Sequence, residues 1–211
     1  PDTFFSGSGY IYHHSYIYGF SHTHKSGVGG TDFKDIMFFP LTHAEWADSQ
    51  EMPQRVSSRF SHDKEHVEPG YYSVTLLDSD IDVELTATKR CGMHRYSYPH
   101  DSERELIVDL KHGCEHSCTI IPEEDFDTVK LSYIEIVNSR TIRGYRISNG
   151  WASEQHVYFY AELSEPIKDY KIYVNRDPQT NIKSAEGCDI RALLSFGKGE
   201  GKIVAKVGIS P

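Results

Sequence analysis

Ile81-Asp-Val-Glu-Leu-Thr-Ala-Thr88 decides the fold class. Ile81, Val83, Leu85 and Ala87 alternate with Asp82, Glu84, Thr86 and Thr88. Successive side chains of a strand point to opposite faces, so this period of two describes a strand with one buried side. The same pattern recurs in Val157, Phe159, Ala161 and Leu163, in Ile190, Ala192, Leu194 and Phe196, and in Ile203, Ala205, Val207 and Ile209. Tyr72-Val74-Leu76, Leu106-Val108-Leu110 and Tyr170-Ile172-Val174 extend the series, rich in the β-branched and aromatic residues that suit a pleated surface. Turn residues separate these runs: Pro69-Gly70, Asp78-Ser-Asp80, Arg90-Cys-Gly92, Ser148-Asn-Gly150 and Glu165-Pro166. Gly197-Lys-Gly-Glu-Gly201 lies between two alternating runs and predicts a hairpin there. Only Thr42 to Gln50 offers a helix cap followed by helix formers. Many short strands with few short helices predict an all-β, antiparallel β-sandwich over residues 1–211 as one domain.

Composition narrows the function. The chain has 211 residues, 38% of them hydrophobic and 25% charged, an ordinary globular mixture that argues against disorder. With 31 Asp and Glu against 22 Lys and Arg, the formal charge of −9 argues against nucleic acid, which needs a clustered positive surface. No apolar run approaches the roughly 18 residues that span a bilayer. Twelve histidines and fourteen tyrosines suit contact with sugars or proteins. Pro1 is no initiator, no signal-peptide pattern opens the chain, and the final strand stops at Ser210-Pro211. These ends predict a piece of a larger protein or a processed product.

Three constellations could carry chemistry. In Gly19-Phe-Ser-His22-Thr-His24-Lys-Ser-Gly27-Val-Gly29-Gly30, two histidines two apart on a strand would point to one side, as metal ligands or sugar-contacting groups; the alternative is histidines bonded to backbone beside a Gly-rich turn. The glycines make no nucleotide loop, because the Gly-Lys-Ser/Thr ending is missing. His62 and His66 have a spacing that binds zinc only on a helix, and Pro69-Gly70 favours a polar turn leading into the next strand. His112-Gly-Cys114-Glu-His116-Ser-Cys118 offers three or four soft ligands, which Cys91 or Cys188 could complete; disulfides or free thiols are the alternatives, and four cysteines allow three pairings. Glu123-Glu-Asp125 and Asp78-Ser-Asp-Ile-Asp82 read as solvated loops, and no nucleophile motif is present.

The order of segments carries more. Ser8-Gly-Tyr10-Ile-Tyr12, then Ile17-Tyr-Gly19-Phe-Ser-His22-Thr-His24, then Asp32-Phe-Lys-Asp35-Ile-Met-Phe-Phe-Pro40 closely resembles the amino-terminal domain of the glycoside hydrolase family 92 α-mannosidases. Phe60-Ser-His62, Glu68-Pro-Gly-Tyr-Tyr72, Val83-Glu-Leu-Thr-Ala-Thr88, Gly92-Met-His-Arg-Tyr96, Gly150-Trp-Ala152, Val157-Tyr-Phe-Tyr160 and Val207-Gly-Ile-Ser210 continue it along the whole chain.

The resemblance implies a β-sandwich of supersandwich type packed against a carboxy-terminal (α/α)-barrel domain of the same protein. It implies a calcium-dependent, inverting exo-α-mannosidase, exported to the periplasm or cell exterior of a bacterium and acting on mannose-rich N-glycans. Inversion needs an acid and a base about 6.5–9.5 Å apart. In the family both carboxylates, and most Ca2+ ligands, belong to the barrel, so no catalytic residue and no calcium are expected within this chain. The expected contribution is one wall of the sugar site, from His22, His24, Gly27 and Gly29, with Phe4 and Phe5 standing where relatives carry a Trp-containing segment. Without that Trp, and with Lys25 where Leu is usual, a preference for α-1,2 linkages is not implied. A face that normally meets the barrel could also pair two copies as a dimer. The alternatives are a stand-alone carbohydrate-binding module and a structural metal module at His112, Cys114, His116 and Cys118.

Overall fold

The alternating runs close into two large antiparallel sheets around a shared core, with a two-stranded ribbon of residues 16–17 and 58–59 beside them, in a computed structural model, which describes residues 1–3, 9–24, 33–43, 52–113, 128–150 and 152–211. In chain order the strands are β1 (Tyr16–Ile17), β2 (Met37–Leu41), β3 (Ser58–Arg59), β4 (Glu65–Glu68), β5 (Tyr71–Leu76), β6 (Ile81–Ala87), β7 (Cys91–Ser97) and β8 (Glu105–Asp109). They continue as β9 (Val129–Asn138), β10 (Thr141–Ser148), β11 (Gln155–Leu163), β12 (Asp169–Val174), β13 (Asp177–Gln179), β14 (Ser184–Gly187), β15 (Ile190–Ser195) and β16 (Lys202–Ser210). One short 3-10 turn, His62–Lys64, accompanies them among the described residues. No described helix is long and apolar enough to cross a membrane.

The larger sheet runs β14-β9-β10-β11-β16-β7-β6-β5-β4, and the smaller runs β13-β12-β15-β8-β2. Two meanders, β4 to β7 and β9 to β11, build the larger sheet, and β16 pairs with β7 on one side and β11 on the other. Its inner face carries Val74, Val83, Tyr96, Ile134, Ile142, Phe159, Ala205 and Val207, all buried. They pack against the small sheet, where Phe38, Leu106, Val108, Ala192 and Leu194 lie in register on one side. Each such aliphatic or aromatic side chain, fully buried, contributes about 1.5–3 kcal/mol.

The strands expected at 72–76, 81–87, 106–110, 157–163, 170–174, 190–196 and 203–209 all form. The hairpin expected at Gly197–Gly201 does not. β15 belongs to the small sheet and β16 to the large one, so this segment crosses between layers. Its path is set by Arg104, whose Nε donates to the Gly197 carbonyl at 3.2 Å and whose Nη1 reaches Glu165 at 2.9 Å. His62 and His66 sit apart, one in the 3-10 turn and one on β4, as a polar turn requires; but Glu65–Glu68 is itself a strand. Phe4, Phe5, Gly27, Gly29, the helix expected to Gln50, Cys114, His116, Cys118 and Glu123-Glu-Asp125 lie outside the described residues.

Candidate functional site

β7 lies inside the large sheet between β6 and β16, and His94 and Tyr96, two apart, share its buried face. Above them passes Phe20–His24, anchored by the Phe20 to Phe38 bridge and by the His22 amide donating to the Asp35 carbonyl at 3.0 Å. β7 comes close because position 92 is glycine: a Cβ there would stand 3.0 Å from the His22 ring. The His22 and His94 rings stack at 4.7 Å between centroids, with Phe38 edge-on to both.

The hydrogen bonds of this group have a determined direction. His22 Nδ1 lies 2.5 Å from the Ile36 carbonyl, which only accepts, so Nδ1 carries the proton. Burial drives the His22 imidazole down to about 4, and burial together with the neighbouring His22 drives His94 well below the usual histidine range, so both rings are neutral at pH 7. Neutral His22 therefore accepts at Nε2 from His94 Nε2–H, at 2.9 Å, and His94 Nδ1 accepts the Tyr96 hydroxyl at 2.8 Å. The relay runs from Tyr96 through His94 and His22 to Ile36, with each ring nitrogen engaged once.

The segment that receives it is strained. Phe33, Lys34 and Ile36 hold φ of 71°, 55° and 55°, left-handed values that each cost such residues about 1–2 kcal/mol. Asp35, fully buried, braces the stretch. It pairs with Arg146 Nε of β10 at 2.9 Å, and one of its carboxylate oxygens accepts from Thr23 Oγ1 at 2.5 Å and Gln155 Nε2 at 3.2 Å. Arg146 also donates to the carbonyls of His112, Leu110 and Phe33. The described stretch from Phe33 to Ile36 is thus held by a buried ion pair reaching into the large sheet.

His24 does not join His22. Its Nε2 lies 2.8 Å from Ser21 Oγ and 3.4 Å from Asp2 Oδ1, while Asp2 Oδ2 lies 3.0 Å from His112 Nε2. Burial pushes the Asp2 carboxyl up, but the His112 hydrogen bond and the charges of His112 and His24 outweigh it and hold the group below the ordinary carboxylate range. Of the two readings of His-x-His, the backbone-bonded one describes His22: the segment is not a regular strand, and Nδ1 donates to the Ile36 carbonyl. Among the described residues no three His, Cys, Asp or Glu side chains are arranged to hold a metal ion. Cys91 and Cys188 are free, exposed thiols. Calcium wants a cage of hard oxygens. The buried carboxylates near the site, Asp2 and Asp35, are instead paired with histidine and arginine, so the described residues do not fit that ion.

Next to the relay opens a cleft of about 680 Å³, bordered by Ser21, His22 and Thr23 on one side and by Glu68, Tyr72 and Thr88 of the first meander on another. Behind it Glu65, whose side chain is 5% exposed, accepts from Tyr10 Oη, Tyr72 Oη at 2.7 Å and His62 Nδ1 at 2.6 Å. Tyr12 stacks flat on His62 at 4.0 Å. His94, Tyr96, Glu65 and Arg146 were not singled out as site residues by sequence, although Gly92-Met-His-Arg-Tyr96 marked the strand that carries two of them.

A two-layer antiparallel sandwich with a histidine-floored cleft is the class these features define. The chain belongs to glycoside hydrolase family 92: residues 1–210 match the model of that family's N-terminal domain. Among solved structures it is similar to a family 92 α-mannosidase from Bacteroides thetaiotaomicron in complex with mannoimidazole, with 31% identity and a TM-score of 0.85 over 100% of this chain and 28% of that one. An inverting family 92 mannosidase of the same organism, at 24% identity and a TM-score of 0.75, shares the fold over 100% of this chain and 26% of its own. The chain thus spans less than a third of the length of the solved proteins it matches. No curated protein matches it.

Proposed function

We propose that this chain is the non-catalytic amino-terminal domain of a calcium-dependent, inverting exo-α-mannosidase, exported and acting on mannose-containing glycans, and that its cleft forms one wall of the sugar site. The observation that carries the reading is the 680 Å³ cleft bordered by the His22 and His94 relay in the segments that resemble the family. The lining joins apolar side chains such as Leu85 and Ile209 to the neutral imidazoles of His22 and His94 and the hydroxyls of Ser21, Thr23 and Thr88, a mixture that suits the C–H faces and hydroxyls of a sugar. Since both His22 nitrogens are engaged within the protein, His22 shapes the wall, and the exposed His24 beside it is the proposed contact for a sugar hydroxyl. Acid, base and calcium ligands then come from outside these residues, in a carboxy-terminal catalytic domain.

The 211-residue chain should hydrolyse no aryl α-mannoside, while the longer protein that carries it should do so and lose activity to a calcium chelator. Turnover by the 211-residue chain itself would overturn the assignment. In the longer protein, His24→Ala should raise KM about tenfold with less effect on kcat, the signature of lost ground-state binding.

A further inference from the structure

Beyond the tip of the β6–β7 hairpin, whose residues Thr86–Thr88 and Cys91–Gly92 also border the cleft, a trough of about 430 Å³ lies on the solvent face of the large sheet against β11. Its walls are Tyr160, 49% exposed, and Met93, 39% exposed, and its end is formed by Glu162 and Lys206. Strand register explains the trough. Tyr160 is opposite Gly208, which is opposite Cys91, so one row of side chains is interrupted at its centre. Packing does not demand that glycine: a Cβ at position 208 would have no neighbour closer than the Tyr160 carbonyl at 3.7 Å. Gly92 and Gly144, by contrast, sit where a Cβ would press on a ring or a backbone oxygen. One row along, Glu162 faces Lys206 in register, and neither makes a side-chain hydrogen bond or ion pair among the described residues.

We infer that this trough is a second carbohydrate subsite, which takes one pyranose ring of a neutral glycan. A pyranose has an apolar C–H face and a rim of hydroxyls. The Tyr160 ring, with Met93 opposite, suits the first, while the Glu162 carboxylate accepts from hydroxyls and the Lys206 ammonium donates to them. The trough lies within the size range of small-ligand pockets, about 300–1,000 Å³. Tyr158, Tyr145 and Tyr133 continue the aromatic face outside the trough, packed on one another at 5.8 and 5.5 Å, which leaves Tyr160 as the aromatic side chain of the trough itself. The ligand class, a mannose-containing glycan, rests on the function proposed above; the position does not.

The test is an amide chemical-shift titration of the 211-residue chain with methyl α-mannoside and with a mannan oligosaccharide, repeated on the longer protein. Shifts are expected at Tyr160, Lys206 and Gly208, and Tyr160→Ala or Gly208→Leu should each weaken binding at this site about tenfold. His24→Ala should leave it unchanged. Circular dichroism checks that the variants fold, and position 208 has room for the larger side chain. Shifts confined to Ser21–His24, trough variants that bind normally, or no binding of any glycan would each overturn the subsite. So would binding in the 211-residue chain that vanishes in the longer protein, since the trough would then be the seat of another part of that protein. Mannoside hydrolysis by the longer protein is read separately, so the failure of either proposal is visible without the other.

Discussion

His22 and His94 are neutral because burial penalises their charged forms, and each neutral ring then fills one donor and one acceptor role. That has a pH consequence with a definite sign. The folded pKa of His22, about 4, lies below the unfolded value of 6.5, so the unfolded chain binds protons first. Stability from this group is complete above about pH 6.5 and is lost as pH falls toward about 4, at about 1.4 kcal/mol for each unit separating the two values. Urea unfolding midpoints measured from pH 7.5 to 4.5 should fall accordingly, and His94→Gln should flatten the slope; a flat wild-type profile would contradict the neutral relay. Arg146 makes a second residue-scale test. Arg146→Met strands the buried Asp35 carboxylate and should cost about 3–5 kcal/mol by urea unfolding. His22 was legible in the sequence because His-x-His beside glycines stands out; His94 and Arg146 were not, because their partners lie 72 residues away in one case and across the sandwich in the other.

Strands are where the sequence is most readable and also where it misleads. β6, β11 and β16 alternate cleanly because one face meets the core and the other meets water. β9 and β10 escaped that pattern. The inner face of β10 is Ile142, Gly144, Arg146 and Ser148, half of it polar, and the pairing with β9 shifts register at both ends. Gly144 is required there: a Cβ would sit 2.0 Å from the Tyr133 carbonyl oxygen. Gly144→Ala should therefore destabilise by about 3 kcal/mol, while Gly208→Ala, where a Cβ meets only the Tyr160 carbonyl at 3.7 Å, should stay within about 0.5 kcal/mol by the same assay. The Glu65 knot ties another pair of elements together. Glu65→Ala would leave the Tyr72 hydroxyl and His62 without their acceptor, and amide exchange over residues 9–14 should quicken while that of β15 does not.

For the whole molecule, alternation and turn signals were enough to reach an antiparallel sandwich, since two one-sided sheets must cover each other. The division of strands between the layers was not readable. β15 alternates as neatly as β16, yet it is buried on both sides, because the Met52–Gln54 segment covers its outer face and takes the Arg191 side chain through the carbonyls of Pro53 and Gln54. Nothing local in Gly197–Gly201 distinguishes a turn that folds back from one that changes layer; that choice is made by Arg104, 93 residues earlier.

The position of β16 has a bearing on how the chain folds. The last strand in sequence is the central suture of the nine-stranded sheet, with β7 on one edge and β11 on the other. Each meander can assemble from neighbouring hairpins as it emerges, but each then presents an unpaired inner edge until residues 202–210 arrive. Completion of the sheet must therefore wait for those residues, with two half-sheets depending on a single closing strand. Interrupting synthesis before residue 202 should yield two locally ordered meanders with exposed edges and no common core.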